Sequence, residues 1–508
     1  MNMSMKRIMM YILLWGVSMS CTFAATIPQP KREFRASWIQ CVNGQFQGMS
    51  RDVMQATLRR HLDALQRCHV NAVFFQVRPE ADALYQSQLE PWSRFLSGQQ
   101  GAAPLPYWDP LKWMIDECHN RGMELHAWIN PYRAKTAGTT ELAGNHPYFK
   151  NPEAFFTYGK LLLFNPGLPE NRDYICEVVT DIVSRYDVDG LHIDDYFYPY
   201  PEAGVPIPDQ ETFRQYGAGF SSIEDWRRDN VSRLIHELHE TIKRLKPWVK
   251  FGVSPFGIYH NQPSAGHTPS RSAAGLPGSN TRGLQNYDDL YADVLQWISK
   301  GWVDYNIPQL YWEIGHKTAD YDTLIRWWAQ YGSGRPLYIG QDIERTVKAA
   351  DLNNPKINQL PQKWLLQRTL PGIEGNCLWY SAAVADNTGN ALTALETVYQ
   401  PYPALIPEMP FKDNVAPKSV KGAKVISTDN GRVLVWLTRN VKDEMQRPVR
   451  FVIYRFAKGE KINLANPANI AAVTAQTYWP VPTVEQGYTY VVTALDHMWN
   501  ESKPKKVK

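Results

Sequence analysis

An alternation constrains this chain more than any other feature. From Glu33 to Tyr380, short runs rich in β-branched and aromatic residues alternate with longer stretches of helical pattern. Parallel strands need long crossovers, which helices supply, so the alternation calls for an α/β fold with a helix-covered parallel sheet. Eight strand candidates stand out: Phe34–Ile39, Ala72–Val77, Glu124–Ile129, Gly190–Asp194, Lys250–Ser254, Asp304–Leu310, Pro336–Gly340 and Gly375–Tyr380. Eight units over roughly 350 residues predict a (β/α)8 TIM barrel with loop insertions. The intervening helices carry core stripes, such as Ile175, Val178, Val179, Ile182 and Val183, and Val231, Leu234, Ile235, Leu238 and Ile242.

The 508 residues exceed one ordinary domain. A Pro-rich stretch from Pro401 to Pro410 marks a linker, and beyond it the pattern changes to alternating strands: Val433–Leu437, Val449–Phe456, Thr477–Val481 and Tyr488–Ala494. That pattern predicts a small all-β sandwich, and the run from Tyr488 to Ser502 resembles the last strands of fibronectin type III domains. The expected division is a signal peptide over 1–25, the barrel over 26–405, a linker over 406–415 and the sandwich over 416–508. Lys6-Arg7, the apolar run Ile8 to Met19 and the small residues around Ala24-Ala25 carry the signal-peptide reading. That run is short for a membrane span. Ser20-Cys21 offers a second cleavage site, with lipidation of Cys21. Export to the periplasm or outer membrane is therefore expected, with membrane attachment only through a lipid anchor at Cys21.

Composition excludes some classes. The net charge is +4, and no basic run interleaved with aromatics points to nucleic acid. Cys41, Cys68, Cys118, Cys176 and Cys377 form no CxxC pair and read as buried small apolar residues. No cofactor motif is read. The 18 Trp and 27 Tyr suit a sugar cleft, where flat rings stack on the C–H faces of pyranoses.

The chemistry concentrates on strand four. Asp189-Gly190-Leu191-His192-Ile193-Asp194-Asp195-Tyr196 puts two carboxylates at a strand's C-terminal end, where barrel active sites form. Side chains alternate along a strand, so His192 and Asp194 are expected on one face and Asp195 on the other. Asp194 is therefore preferred over Asp195 as the catalytic acid or nucleophile. Glycosidases generally need two carboxyl groups about the scissile bond. Glu313, in Gln309-Leu310-Tyr311-Trp312-Glu313 beyond strand six, is the expected partner. Arg78 and Glu80 beyond strand two read as substrate ligands or as a structural ion pair. Asn130, Tyr132, Tyr196, Gln309, Tyr311, Trp312 and Trp379 are candidate sugar-binding residues, and His192 lies below them. His126 reads as a core histidine.

Several of these runs occur together in one family. Arg32 to Trp38, Gln76-Val77-Arg78-Pro79, Trp128 to Arg133, Asp189 to Pro199, Gln285 to Asp293 and Pro308 to Glu313 resemble the glycosyl-hydrolase-like 10 family, formerly a domain of unknown function. The chain departs from it at Asn165, where the family carries Asp before Pro166. The resemblance implies a (β/α)8 barrel that hydrolyses glycosidic bonds. An enterobacterial envelope lipoprotein of the family cuts peptidoglycan glycan strands stripped of stem peptides, so the resemblance also implies that glycan as substrate. Two other readings remain. One is a silent glycan-binding protein. The other is a metal-dependent amide or ester hydrolase using His126, His192, Asp194 and Asp195, although strand one lacks a His-x-His pair.

Overall fold

A computed structural model describes residues 27–262, 275–347, 358–483 and 487–508. The predicted signal segment, with Cys21, lies outside the described residues, as does part of the loop after strand five. Among the described residues, no helix is long and apolar enough to cross a membrane.

Eight parallel strands close into a barrel: β1 (Phe34–Ile39), β2 (Ala72–Arg78), β3 (Glu124–Ile129), β4 (Gly190–Ile193), β5 (Lys250–Val253), β6 (Tyr305–Asn306), β7 (Leu337–Asp342) and β8 (Ile373–Trp379). A helix follows each: α1 (Arg51–Arg67), α2 (Pro110–Asn120), α3 (Pro169–Arg185), α4 (Ile223–Leu245), α5 (Val294–Lys300), α6 (Tyr321–Tyr331), α7 (Leu360–Thr369) and α8 (Ser381–Ala385). Every residue of β1, β2 and β3 is buried, as strands covered on both faces require. Ser50, Asp109 and Ser222 start α1, α2 and α4 by accepting from backbone N–H groups of the first turn.

The barrel interior is aromatic. Phe34 stacks on Tyr338 with centroids 4.0 Å apart, and Phe74 meets His126 edge-on at 4.9 Å. Small residues make room for these rings. A Cβ at Gly252 would stand 2.1 Å from the Tyr305 ring, and one at Gly190 would stand 2.3 Å from His126 Nδ1. Large and small side chains thus alternate so that the layers fill the barrel.

The long loop after β3 is not structureless. Arg133–Lys135, Phe155–Tyr158 and Leu161–Phe164 pair as a small antiparallel sheet. Its alternation separates two faces. Phe156, Tyr158 and Leu163 form a small cluster of their own, while Leu162 and Phe164 join the main core.

The C-terminal unit is a two-sheet β-sandwich of β9 (Lys421–Thr428), β10 (Gly431–Leu437), β11 (Arg450–Phe456), β12 (Ile470–Thr474), β13 (Tyr478–Pro480), β14 (Thr489–Leu495) and β15 (Lys505–Lys506). One sheet runs β9-β10-β13 and the other β12-β11-β14-β15. The Pro-rich segment before it packs against the barrel: Leu405, Ile406 and Met409 are buried, and Leu405 exchanges backbone hydrogen bonds with Lys31 and Glu33, each of 2.9 Å.

The sandwich also closes the floor of the barrel. Trp499 is fully buried and its indole N–H donates to Glu124 at the start of β3 (2.6 Å). Arg450 donates to Asp189 (2.9 Å) and to the Met123 carbonyl (3.0 Å). Lys250 pairs with Glu124 and donates to the His497 carbonyl (3.1 Å). Burial alone would raise the Glu124 carboxyl, but Lys250 and His126 outweigh it and hold the group at about 2. His126 bridges Glu124 and the Tyr305 hydroxyl at 2.9 Å each, which makes it a satisfied core histidine.

Candidate active site

The strands' C-terminal ends open into a cavity of about 880 Å³. Its floor is aromatic. Trp38 from β1, Trp128 from β3, Trp379 from β8 and Tyr311 beyond β6 line it, with Trp38–Trp379 centroids at 6.2 Å and Tyr311–Trp379 at 6.1 Å. One wall holds Tyr196 and Tyr200, stacked at 5.5 Å, with the Arg133 guanidinium 4.0 Å over the Tyr196 ring. Phe256 and Trp312, edge to face at 5.4 Å, form another.

Both aspartates line this cavity and both are buried. β4 ends at Ile193, so Asp194 and Asp195 lie past the pleat and two-fold alternation no longer separates them. They turn in opposite directions around the barrel. Asp194 accepts from the Asn130 side-chain NH₂ at both oxygens, 2.8 Å each. Asp195 accepts from the Tyr200 hydroxyl and from Gln309 Nε2 (3.1 Å). Burial first, and then the charge of Asp195, push the Asp194 carboxyl up to about 7, against the pull of Arg133 and Asn130. Burial raises Asp195 too, opposed by its bonds from Tyr200 and Gln309.

The orientation of Asn130 is itself set by a chain of amides. The backbone N–H groups of Cys41 (2.9 Å) and Val42 (3.1 Å) donate to Gln76 Oε1. Gln76 must then present its NH₂ to Asn130 Oδ1, at 2.8 Å. Asn130 is left with its own NH₂ facing Asp194.

The glycosyl hydrolase-like 10 family profile matches residues 33–358. The chain is 39% identical over 501 residues to "Glycosyl hydrolase YngK" of Bacillus subtilis, covering 96% of each. The chain belongs to the glycosyl hydrolase-like 10 family. It is also 39% identical over 344 residues to "Glycosyl hydrolase DigH" of an Escherichia coli O6:H1 strain, covering 64% of this chain and 75% of that one. Among solved structures, an α-L-fucosidase from Paenibacillus thiaminolyticus is similar at 15% identity and a TM-score of 0.45, covering 78% of this chain and 54% of that one. Barrel, cleft and family membership agree on a glycoside hydrolase.

In this glycosyl hydrolase-like 10 barrel, Asp194, Asp195, Tyr196, Gln309, Tyr311, Trp312 and Trp379 all line the cleft, with Asn130 directly behind Asp194. Glu313 does not. Pro308 cannot donate and interrupts the ladder after Asn306, Gln309 bridges Phe256 and Gly340 again, and beyond Trp312 Glu313 stands exposed with its carbonyl accepting from the His316 and Tyr321 backbone N–H groups. Arg78 is fully buried in a bidentate pair with Glu90 (2.6 and 2.8 Å) and serves structure. Glu80, also fully buried, accepts from Arg94, Thr139 and the Thr136 backbone and braces the loop after β3. Tyr132 is buried away from the cleft. His192 sits beneath it, bonded to Ser254 Oγ (2.9 Å), and burial holds it neutral, well below its usual range. Among the described residues, no three His, Cys, Asp or Glu side chains could share a metal ion. Among the described residues, Cys41, Cys68, Cys118, Cys176 and Cys377 are unpaired thiols, all buried but Cys176.

Residues not singled out for the site include Trp38, Gln76, Arg133, Tyr200, Ser254, Glu202 and Arg345, all of which line the cleft. Most follow or end a barrel strand, so the C-terminal-end rule applied to every strand would have found Trp38, Gln76 and Ser254.

Proposed function

We propose that this enzyme hydrolyses N-acetylated wall glycan, namely peptidoglycan strands freed of stem peptides, with Asp194 and Asp195 as the carboxyls of its catalytic centre. The observation that carries this reading is the pair itself: two buried carboxyls over an aromatic floor, one of them raised to about 7 and so able to hold a proton near neutral pH. Such a proton can pass to the departing glycosidic oxygen. The flat rings of Trp38, Trp128 and Trp379 suit sugar faces. Removal of the stem peptide uncovers a lactyl carboxylate on the glycan, and Arg345, at the rim with Asp342 as its ionic partner, offers it a cation. The family resemblance supports the same substrate. Export, a lipid anchor at Cys21 and a fibronectin type III origin for the sandwich belong to this proposal as well.

The test is to incubate the protein lacking residues 1–25 with intact and with peptide-stripped peptidoglycan and to identify products by mass spectrometry. Soluble oligosaccharides released from the stripped strands alone support the reading. Cleavage of neither sacculus, alongside turnover of a glycan without N-acetyl groups, refutes the substrate.

A further inference from the structure

The cleft holds acids in an arrangement that a simple two-carboxylate mechanism does not explain. Its lining carboxylates among the described residues are Asp194, Asp195 and Glu202. Glu202 is exposed, and its carboxylate rests against Gly159 of the inserted sheet, where a Cβ would meet it at 2.6 Å. Asp194 and Asp195 spring from one strand tip. Facing them across the floor are Trp38, Trp128, Tyr311 and Trp379, which carry no carboxyl. Within that aromatic box one buried donor has no partner: the Trp128 indole N–H is unbonded, in a side chain only 4% exposed. Buried donors are normally satisfied, so an unmatched one in a side chain that lines the cleft is free to meet a ligand acceptor.

An acetamido group matches these features point by point. Its methyl suits the indole faces, its carbonyl oxygen can accept from Trp128, and its N–H can donate to a carboxylate. Resting on the substrate reading above, we infer that the sugar's own 2-acetamido group is the nucleophile, with Asp194 as general acid and Asp195 as the anion that holds the amide N–H. The nucleophile is then already tethered to the reacting sugar, which saves the cost of bringing one in.

The protonation states fit this division. Burial raises both carboxyls, but Asp195 takes donors from Tyr200 and Gln309 that oppose the rise, while the charge of Asp195 adds to burial at Asp194 and drives it up to about 7. In the first step the bond from C1 to the leaving oxygen breaks and Asp194 gives that oxygen its proton. The acetamido carbonyl oxygen bonds to C1 and forms a five-membered oxazolinium ring, whose N–H is held by Asp195. In the second step Asp194, now a carboxylate, takes a proton from water. The water oxygen bonds to C1, the ring C1–O bond breaks and the acetamido group is restored. C1 is substituted twice, so its configuration is retained.

The experiment uses short peptide-free glycan oligomers bearing acetyl, fluoroacetyl, difluoroacetyl or trifluoroacetyl groups on the 2-nitrogen. Fluorine withdraws electrons from the attacking oxygen, so kcat/KM should fall by roughly tenfold per fluorine. Proton NMR of the first product anomer should show retention. Cleavage of the acetyl oligomer with inversion, or at rates insensitive to fluorine, overturns the inference and leaves the substrate reading intact. Refusal of every N-acyl oligomer, together with cleavage of a glycan lacking N-acetyl groups, overturns both. Trp128→Phe keeps the ring but removes the donor, and should lower kcat with little change in KM. An unchanged kcat would remove Trp128 from the acetamido site.

Discussion

Asp194→Asn should cost activity and return stability, and the two effects have different signatures. The carboxyl rises from its ordinary value of 3.8 to about 7 on folding, so the native chain binds this proton more tightly than the unfolded one. A raised carboxyl weakens the fold progressively as pH climbs from about 4 to about 7, after which the loss is constant. At about 1.4 kcal/mol per pH unit, the accumulated cost above pH 7 is about 4 kcal/mol. Asparagine carries no charge and escapes it. The new amide turns an NH₂ into a site where Asn130 already donates, which costs about 1 kcal/mol. The variant should therefore match the parent or fall slightly below it at pH 4, and exceed it by about 3 kcal/mol at pH 8. With an unfolding entropy near 2.1 cal/mol/K per residue, this chain gains about 1 °C of Tm per kcal/mol, so the shift is about 3 °C. Thermal unfolding of both proteins followed by tryptophan fluorescence from pH 4 to pH 8 measures it. Turnover of denuded glycan should fall by about 10² to 10⁴, as loss of a general acid does. A stability difference that is flat with pH would refute the reasoning, because the burial and repulsion at Asp194 would then not be those described.

Other outcomes follow from the same geometry. Wild-type activity should decline above about pH 7 as Asp194 loses its proton; Gln76→Leu frees Asn130 from its fixed orientation, weakens its hold on the Asp194 anion and should move that limb upward by about one pH unit, and an unmoved limb would discount the amide chain. Glu313→Gln should keep turnover within about twofold while Asp195→Asn loses about 10² or more, and equal losses would return Glu313 to the site. Trp499→Ala should destabilise the chain by about 3–5 kcal/mol in chemical denaturation, whereas a loss under about 1 kcal/mol would show that the barrel stands without its sandwich floor.

The barrel was legible because parallel strands buried on both faces read as largely apolar runs, and in β1 to β3 only Arg35, Ser37, Gln76, Arg78, Glu124 and His126 interrupt them. The tip of strand four was legible for the complementary reason: two acids closing a buried strand have no structural excuse. Glu313 misled because the bridged run continues only to Gln309 and Leu310, and Trp312 is the last residue of the segment to line the cleft before Glu313 stands exposed. Arg78 and Glu80 were ambiguous because their partners, Glu90, Arg94 and Thr139, are brought to them by loops that follow no period. The floor was invisible altogether. Nothing in the pattern around Trp499 tells that it binds Glu124, 375 residues earlier.

That floor has a consequence for how the chain is made. Lys31 pairs with Glu501, and Arg32 donates to the Trp499 carbonyl, so segments 467 to 470 residues apart are fastened together. The buried charges of Glu124, Lys250 and Asp189 pair within the barrel with one another, His126 and His119, and Arg450 to Trp499 complete their bonding from below. During synthesis the base of the barrel would thus stay open until Arg450 to Trp499 had emerged. A chain cut before Arg450 would lose the cation bound to Asp189 and the indole bound to Glu124 as well as a surface module, so the sandwich is a working part of the barrel's interior.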